Sequence, residues 1–356
     1  MKFGLPFVRM ITAHAGCEGT SANTPENIRR AIEIGCDALE LDLRFSGGVV
    51  YLAHDAIPDT ENFYSLDETL EELTGSKIKV NCDIKEDAAF VPAIRKFMER
   101  GMADRMIMTG NFPRGFPDEA AALVSPDSEV EFYINLNHLI DEDYMKLNHA
   151  AAAKRALEFA DTYGNIVNFK GYNMPYQCAS RALTDALHES GLQVSVWTPS
   201  DFESIAAMVR LGADNITTRT PTAAMEFLSE YLISENSFAD EMFLRFEDEL
   251  MRLDIANEAP EYRQKLLRQY QTSRVTGRQY TSHGFYTHFE ITDKSHSLGD
   301  GVCLFLGSVA ADVNDLVHGT GCALIIRDGL IACIEGYAYD ETFPEKILGY
   351  KLKPVT

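Results

Sequence analysis

Eight short apolar runs alternate with longer amphipathic segments from residue 8 to about residue 232, and this alternation constrains the fold more than any other feature. The apolar runs are VRMITA (8–13), DALELDLRF (37–45), KIKVNCDI (77–84), DRMIMTG (104–110), EFYINL (131–136), NIVNFK (165–170), LQVSVWT (192–198) and DNITT (214–218). Helical spacing fills several intervals, at 25–35, 86–100, 142–162, 178–190 and 201–211. Short strands that alternate with helices predict parallel strands joined by helical crossovers.

The number of repeats favours an α/β fold of the TIM type, since eight strand–helix units in about 225 residues match a (β/α)₈ barrel. An open doubly wound sheet is the alternative, but the sequence contains no glycine-rich dinucleotide loop. One interruption of the pattern, RFSGGVVYLAHD, places Ser46–Gly48 between two β-like runs. It predicts a β-hairpin that carries His54 over the mouth of the barrel, where the C-terminal strand ends converge.

The character of the chain changes after about residue 233, which predicts three parts. Residues 1–232 form the barrel, and 233–272 form a helical connector, because 236–271 is charged and helical in period. Residues 273–356 are β-like and form a small antiparallel β domain, with a hairpin turn at Arg327-Asp328-Gly329. The role of this C-terminal domain stays open between substrate binding, a homo-oligomer contact and shielding of the barrel.

The net charge of −22 argues against a protein that grips nucleic acid or an anionic membrane, because both require basic patches. A phosphate-bearing small molecule stays compatible with it, since a bound divalent cation reverses the local potential. No run approaches the roughly 18 to 20 apolar residues that span a bilayer. The start, MKFGLPFVRMITAH, does not resemble a signal peptide, and the seven cysteines are scattered. We therefore expect a cytoplasmic protein with free thiols.

Three acids are predicted to meet at the barrel mouth. Glu40 and Asp42 are two apart in the second strand and share a face, and Asp83 ends the third. Ionised carboxylates inside a barrel are desolvated and repel each other, and a bound cation removes both penalties. Three hard oxygen ligands suit Mg²⁺ or Ca²⁺. In the alternative interpretation, the acids merely pair with barrel cations such as Arg44 and Lys85.

Two histidines and a lysine accompany the acids. His14 ends the first strand and His54 follows the predicted hairpin, and imidazole titrates near neutral pH. One of them would take a proton from an attacking oxygen while the other gives a proton to a departing oxygen. Lys85, two residues after Asp83, offers a compact positive charge to a phosphate.

Six short motifs, in this order, are similar to those of the glycerophosphodiester phosphodiesterases: HAG (14–16), NTPEN (23–27), GCDALELDLRF (35–45), LAHD (52–55), DIK (83–85) and VWTPSD (196–201). The resemblance covers about residues 8–225 and implies a TIM-type barrel. It also implies a Mg²⁺ or Ca²⁺ ion held by Glu40, Asp42 and Asp83, acid–base catalysis by His14 and His54, and Lys85 on the phosphate.

The resemblance further implies a small-molecule glycerophosphodiester substrate. In the family, the neighbouring glycerol hydroxyl attacks phosphorus, and water then opens a cyclic phosphate. Trp197 stands where the family packs a tryptophan against the glycerol carbons. Tyr172 and Asn173, which follow the predicted sixth strand, are expected to line the same pocket.

Three positions depart from the family pattern. Ala15 stands where the family usually has an arginine that binds the phosphate, so one charge-assisted contact is missing. The third metal acid is Asp83, whereas glutamate is common there. The closing motif, usually Thr-Asp-x-Pro, is Thr218-Arg219-Thr220-Pro221. We expect Arg219 to be a candidate for the lost positive charge.

Two other functions stay open. The sphingomyelinase D-like phospholipases share the barrel, the paired acids and the two histidines, lack the arginine, and use D-x-K as at 83–85; they release a cyclic phosphate. This sequence keeps the PEN and HD motifs and shows no secretory pattern, so it fits that family less well. A catalytically dead binding protein is the other alternative, because of Ala15.

Overall fold

The chain divides into two units, residues 1–224 and 225–356. The structure, a computed structural model, describes residues 10–56, 62–110, 123–231 and 239–355, without the side chains of 229–231. The predicted residues Val8 and Arg9 of the first strand lie outside these ranges.

The first unit is built on strands that follow the predicted alternation. They are β1 (Met10–Ala13), β2 (Ala38–Ser46), β3 (Val49–Leu52), β4 (Lys79–Ile84), β5 (Met106–Gly110), β6 (Glu131–Asn135), β7 (Phe169–Pro175), β8 (Gln193–Trp197) and β9 (Asn215–Thr218). Eight of them pair in parallel around a closed ring in the order β1-β2-β4-β5-β6-β7-β8-β9, and β9 returns to β1. This confirms the predicted barrel. The ninth, β3, pairs antiparallel with β2 as the predicted hairpin.

Helices lie between the strands of the barrel and after the last of them. They are α1 (Pro25–Ile34), α2 (Leu66–Glu72), α3 (Asp87–Glu99), α4 (Glu142–Leu147), α5 (His149–Gly164), α6 (Arg181–Glu189), α7 (Phe202–Leu211) and α8 (Pro221–Tyr231). Local signals define their ends: Thr24 caps the start of α1 and Gly35, with φ 78°, ends it in the left-handed conformation. In the described part of the chain, no helix is long and apolar enough to cross a membrane.

The predicted boundaries around the sixth barrel strand are wrong. The expected helix 142–162 is two helices that meet at Asn148, and the second runs on to Gly164. The expected strand at 165–170 is mostly turn, because Asn165 and Asn168 direct their side-chain amides to backbone carbonyls. The strand itself runs from Phe169 to Pro175, so the residues that follow the predicted strand end at 170 belong to the barrel wall.

A chain of polar side chains crosses the inside of the barrel, where branched apolar residues usually predominate. Asn173 donates to Asn135 (2.8 Å) and accepts from the Ser195 hydroxyl (2.9 Å). Asn215 donates to Ser195 (2.9 Å) and accepts from Thr12 (2.7 Å). All five side chains are buried, and their hydrogen bonds offset the cost of removing them from water.

The second unit combines two helices with an antiparallel sheet. Its elements are α9 (Glu241–Asn257), α10 (Pro260–Thr272), β10 (Ser273–Thr281), β11 (Gly284–Ile291), β12 (Leu304–Leu306), β13 (Val309–Val313), β14 (Thr320–Arg327), β15 (Leu330–Ala338) and β16 (Tyr350–Pro354). The strand order is β10-β11-β15-β14-β13-β16, and β12 pairs with β14. The hairpin at Asp328-Gly329 is as predicted, and the helical segment is divided in two before Pro260.

One face of this sheet packs against α9. Phe243 of α9 meets Phe285 of β11 edge to face with ring centroids 4.8 Å apart. The guanidinium of Arg278 forms a fully buried, two-pronged ion pair with Glu247 at 2.9 Å. The segment predicted as a connector therefore contributes to the core of the C-terminal unit, while the domain limits at 232 and 272 stay predictions.

Candidate active site

Asp42 and Asp83 lie side by side at the barrel mouth, and the ammonium of Lys85 lies between their carboxylates. The two acids are direct register partners on β2 and β4. The Lys85 ammonium lies 2.9 Å from Asp42 Oδ1 and 2.5 Å from Asp83 Oδ2. Burial by itself lowers the pKa of Lys85, but the carboxylates of Asp83 and Asp42 outweigh it and raise that pKa. Lys85 is therefore a firmly charged partner of two of the predicted acids.

Glu40 is the acid that Lys85 does not contact directly. It lies on β2 two residues before Asp42, and its carboxylate is 3.4 Å from the backbone N–H of Ala15. Burial, followed by repulsion from Asp83 and Asp42, raises the pKa of Glu40 to about 8. Burial also raises the pKa of Asp83 against the opposing charge of Lys85. The negative charge of these carboxylates at the mouth therefore exceeds the single positive charge of Lys85.

This donor set has the chemistry that a hard divalent cation requires. Glu40, Asp42 and Asp83 supply carboxylate oxygens from neighbouring strands, and the raised pKa of Glu40 reflects burial and then repulsion, both of which a bound cation would offset. As the side chains are placed, however, no three His, Cys, Asp or Glu residues within the described ranges group closely enough to hold a metal. The three acids therefore have the ligand chemistry that a divalent cation requires, while the ammonium of Lys85 lies between Asp42 and Asp83.

His14 lies beside Glu40 at the end of β1. Its backbone N–H donates to Thr218 O of β9 (2.9 Å), and the N–H of Gly16 donates to its Nδ1 (3.3 Å). Its Nε2 is 3.8 Å from Glu40 Oε2. Burial, then the charge of Arg219, lowers the pKa of His14 to about 4. His14 is therefore an uncharged, oriented imidazole at neutral pH.

His54 follows the hairpin strand β3 and is exposed. Its Nδ1 is 3.0 Å from a carboxylate oxygen of Asp55, and Arg44 donates twice to its backbone carbonyl, at 2.8 and 3.0 Å. Burial is the main cause of the pKa shifts of His14 and of Asp83. The charge of His54 also affects both pKa values, so His54 lies near both residues. Arg44 thus fixes the loop that presents His54, a role that its sequence position did not indicate.

Two asparagines of the NTPEN motif organise the site, and their roles were not predicted. Asn23 donates to Asp42 Oδ2 (2.7 Å) and accepts from the Asp42 backbone N–H (3.0 Å). Asn27, fully buried on α1, accepts from the Cys17 N–H (3.0 Å) and from the Thr20 hydroxyl (2.9 Å). Together they anchor the loop that follows His14 and hold one carboxylate of the acid cluster.

The three residues predicted to line the pocket, on β7 and β8, lie in three different environments. Trp197 ends β8, half-buried, and its buried indole N–H has no hydrogen-bond partner among the described residues. Asn173 is buried inside the barrel in the polar chain described above. The prediction for Tyr172 needs correction: it is fully buried, and its hydroxyl donates to Ala156 O of α5 (2.6 Å). Because neighbouring strand residues face opposite sides, Tyr172 points to the helix layer and Asn173 to the interior.

Arg219 lies just after β9, and its side chain is exposed. Its backbone carbonyl accepts from the Glu18 N–H (2.8 Å), which ties it to the loop after His14. After burial, its charge is the largest cause of the lowered pKa of His14, so its guanidinium lies near that ring. Within the described chain no carboxylate is in salt-bridge distance of Arg219. Among the described residues it is therefore a cation at the mouth without a carboxylate partner, near the ring of His14.

A cavity of about 730 Å³ opens elsewhere on this unit. It is lined by residues at the starts of the strands, among them Met10, Lys79, Glu131 and Gln193. This is the end of the barrel opposite the acid cluster, and TIM barrels place their chemistry at the C-terminal strand ends. The mouth is therefore the candidate active site.

Comparison with known proteins supports the assignment of the fold. No family model matches the chain, and no curated protein matches it in sequence. Solved structures do: a protein of Agrobacterium tumefaciens assigned as a glycerophosphoryl diester phosphodiesterase superposes with a TM-score of 0.52 at 15% identity, covering 63% of this chain and 98% of that one. The class defined by fold and site is thus a TIM barrel with an acidic mouth.

Two further similar structures are of the same kind. A glycerophosphodiester phosphodiesterase from Parabacteroides distasonis has a TM-score of 0.49 at 19% identity, covering 63% of this chain and 98% of that one. A phosphodiesterase from Oleispira antarctica, solved with the product sn-glycerol-3-phosphate, has a TM-score of 0.49 at 15% identity, covering 62% and 96%. The Agrobacterium superposition carries the conclusion that the barrel has the glycerophosphodiester phosphodiesterase fold, as the motifs predicted.

Proposed function

We propose that this chain is a metal-dependent phosphodiesterase that hydrolyses glycerophosphodiesters to glycerol phosphate and an alcohol. The observation that carries the proposal is the arrangement at the barrel mouth. Asp42 and Asp83 flank Lys85, Glu40 lies two residues before Asp42 on β2, and His14 Nε2 is 3.8 Å from the Glu40 carboxylate. Carboxylates that can hold a metal ion, a lysine ammonium and imidazoles at the C-terminal strand ends are groups that suit phosphoryl transfer.

The hydrogen bonds of the two histidines favour different roles. Asp55 beside Nδ1 of His54 favours the tautomer that carries hydrogen on Nδ1, which leaves Nε2 free to accept a proton. The Gly16 N–H donates to Nδ1 of His14, so the hydrogen of that ring sits on Nε2, towards the mouth. His54 is therefore the proposed base and His14 the proposed acid.

The proposed reaction has two displacements at phosphorus. His54 removes the proton of the glycerol hydroxyl next to the phosphate, whose oxygen attacks phosphorus while the bond to the alcohol breaks. The uncharged His14 gives its Nε2 hydrogen to the departing alcohol oxygen as negative charge builds on that oxygen; its pKa of about 4 describes the gain of a second ring proton and not the loss of this one. In the second displacement, His14 accepts a proton from water, the water oxygen opens the cyclic phosphate, and His54 returns its proton to the glycerol oxygen.

Glu40, Asp42 and Asp83 are the residues proposed to hold Mg²⁺ or Ca²⁺. A bound cation supplies positive charge that stabilises the phosphate oxygens as negative charge builds on them. Lys85 contributes its own charge from between Asp42 and Asp83, and Asn23 keeps Asp42 in place.

Arg219 and Trp197 complete the proposed substrate site. Arg219 carries a guanidinium with no carboxylate partner in the described chain, next to His14, and such a fork suits a phosphate anion. The half-buried ring of Trp197 offers an apolar surface at the same strand ends to the glycerol carbons. Asn173 is proposed to support this wall from below through the polar chain inside the barrel.

Two substrates that differ only in their leaving group test the division of roles. Glycerophosphocholine releases a poor leaving group that requires an acid, whereas glycerol p-nitrophenyl phosphate releases nitrophenolate, which does not. His54→Ala should reduce turnover of both diesters at least about 100-fold. His14→Ala should lose turnover of glycerophosphocholine but retain much of it with the nitrophenyl ester.

The opposite pattern, or equal losses in both variants, would contradict the proposed roles of the histidines. The pairing of Lys85 with Asp83 and the buried Ala15 favour one other candidate, a lyase that stops at the cyclic phosphate. Phosphorus NMR of the products distinguishes the two, because a lyase accumulates cyclic phosphate and the hydrolase accumulates glycerol phosphate.

A further inference from the structure

The sheet of the C-terminal unit exposes aromatic side chains on the face that does not pack against α9. Strand pairing places Tyr286 opposite Glu335, Tyr337 opposite Gly321, and Phe305 opposite Ile325 on this side. We call Tyr286, His288, Phe305, Glu335, Tyr337 and Tyr339 the aromatic face. Phe305 is 64% exposed and Tyr339 is 44% exposed, which is unusual for large rings that have no function at a surface.

Two tyrosines form a corner at one end of the aromatic face. The rings of Tyr337 and Tyr339 meet at 86° with centroids 5.4 Å apart. Both phenol groups lie over Gly321: a Cβ there would be 2.4 Å from Tyr337 Cζ and 2.5 Å from the Tyr339 hydroxyl oxygen. A glycine is therefore required beneath them. The close approach holds the two rings edge to face at nearly a right angle.

Glu335 gives this corner a negative charge. It precedes Tyr337 by two residues on the same face, and the Tyr286 hydroxyl donates to its Oε1 (2.6 Å). Glu335 also contributes to the raised pKa of Tyr337, for which burial is the main cause, so its carboxylate lies near that phenol. Across the described residues, no lysine or arginine lies within salt-bridge distance of Glu335. Among those residues, its charge has no basic partner.

Perpendicular aromatic rings beside a carboxylate are complementary to a cationic ligand. The faces of tyrosine rings attract cations, and a carboxylate adds to the attraction. A quaternary ammonium donates no hydrogen bonds, so its binding depends on ring faces and on negative charge, which are what this corner combines. We propose that the aromatic face binds a quaternary ammonium group, such as that of choline, independently of the barrel site.

The test is a calorimetric titration of the full chain with tetramethylammonium chloride at constant ionic strength. The expected result is saturable binding at one site, weakened about tenfold in the isosteric Glu335→Gln variant. Tyr337→Leu should weaken binding similarly, and Tyr337→Phe, which keeps the ring, should not. Diester turnover in Glu335→Gln should be unchanged, because the site lies on a separate unit.

Glu290→Gln is the matched control. Glu290 is exposed on β11, two residues beyond His288, so this variant removes the same charge from the same face outside the corner. It should bind tetramethylammonium like the wild type. The proposal fails if no saturable binding occurs, or if Glu290→Gln weakens binding as much as Glu335→Gln. It also fails if 3,3-dimethylbutan-1-ol, the uncharged analogue of choline, binds as well as choline. Tighter binding of methyl glucoside than of tetramethylammonium at this site would contradict it too, because the ligand would then be a sugar.

Discussion

The side chain of Asn23 holds Asp42 at two points, donating to its Oδ2 over 2.7 Å and accepting from its backbone N–H over 3.0 Å. Asn23 adopts the left-handed conformation with φ 59°, which asparagine tolerates better than most residues. The loop after His14 and the acid of β2 are thus joined through one amide group.

Asn23→Gly keeps the left-handed backbone and removes that amide. Asp42 then loses a buried hydrogen bond, which should lower the free energy of unfolding by about 1–3 kcal/mol. We expect diester turnover to fall about tenfold or more, because the carboxylate is no longer held in position. Urea unfolding and steady-state kinetics measure both effects. Asp328→Gly, at an exposed left-handed turn, is the control, and unchanged turnover in Asn23→Gly would show that Asp42 is positioned without this amide.

Lys85→Met leaves the buried acid cluster without its ammonium group. Breaking a buried ion pair from one side should lower the free energy of unfolding by roughly 3–5 kcal/mol. Added Mg²⁺ or Ca²⁺ should restore part of this loss, because the cation takes over the neutralisation. Thermal melting with and without cation measures it. Lys79→Met, which breaks the 2.7 Å pair with Glu131 at the other end of the barrel, should show no such recovery. Equal recovery in both variants would speak against a cation at the acid cluster.

Arg219→Ala should raise the pKa of His14. Burial and then the positive charge of Arg219 lower that pKa to about 4, so removing the charge leaves burial as the main cause. Proton NMR of the His14 ring, without divalent cation, measures the titration. Because a lowered histidine pKa means that the unfolded chain binds more protons, stability falls as pH drops from 6.5 towards 4. Arg219→Ala should make this fall shallower, and Arg29→Ala on α1 should not. An unchanged titration would place the guanidinium away from His14.

Glu247→Ala should strongly destabilise the C-terminal unit. The carboxylate pairs with Arg278, and both side chains are at most 1% exposed. Removing one partner leaves a buried charge poorly compensated, at a cost of about 3–5 kcal/mol. Chemical unfolding followed by tyrosine fluorescence measures the effect. Glu249→Ala, which removes the half-exposed partner of Arg245 one helical turn apart, should cost only about 0–1 kcal/mol. Similar losses in the two variants would contradict the account of this core.

Features that are signalled locally were predictable from the sequence. Thr24, Pro25 and Gly35 mark the ends of α1 within the chain itself, and Gly47-Gly48 marks the hairpin turn. The spacing of two between Glu40 and Asp42 placed both acids on one face because strand side chains alternate. The convergence of Asp83 with Asp42 then followed from the barrel, since neighbouring parallel strands end at one mouth.

Features that depend on where a strand begins, or on loop conformation, were not predictable. The start of β7 was placed too early, so the phase of its alternation was undetermined and Tyr172 was assigned to the pocket instead of the helix layer. The roles of Asn23 and Arg44 depend on loops that bring distant segments together, and no local pattern encodes those contacts. The polar chain through Asn173 and Asn215 likewise requires the closed barrel.

The central claim is that the acids, Lys85 and the two histidines cleave glycerophosphodiesters. Phosphorus NMR of the full chain with glycerophosphocholine, with Mg²⁺ or Ca²⁺ and again with chelator, tests it most directly. The account predicts cation-dependent conversion to glycerol phosphate that is lost in His54→Ala. Folded protein that turns over no phosphodiester with either cation would contradict it.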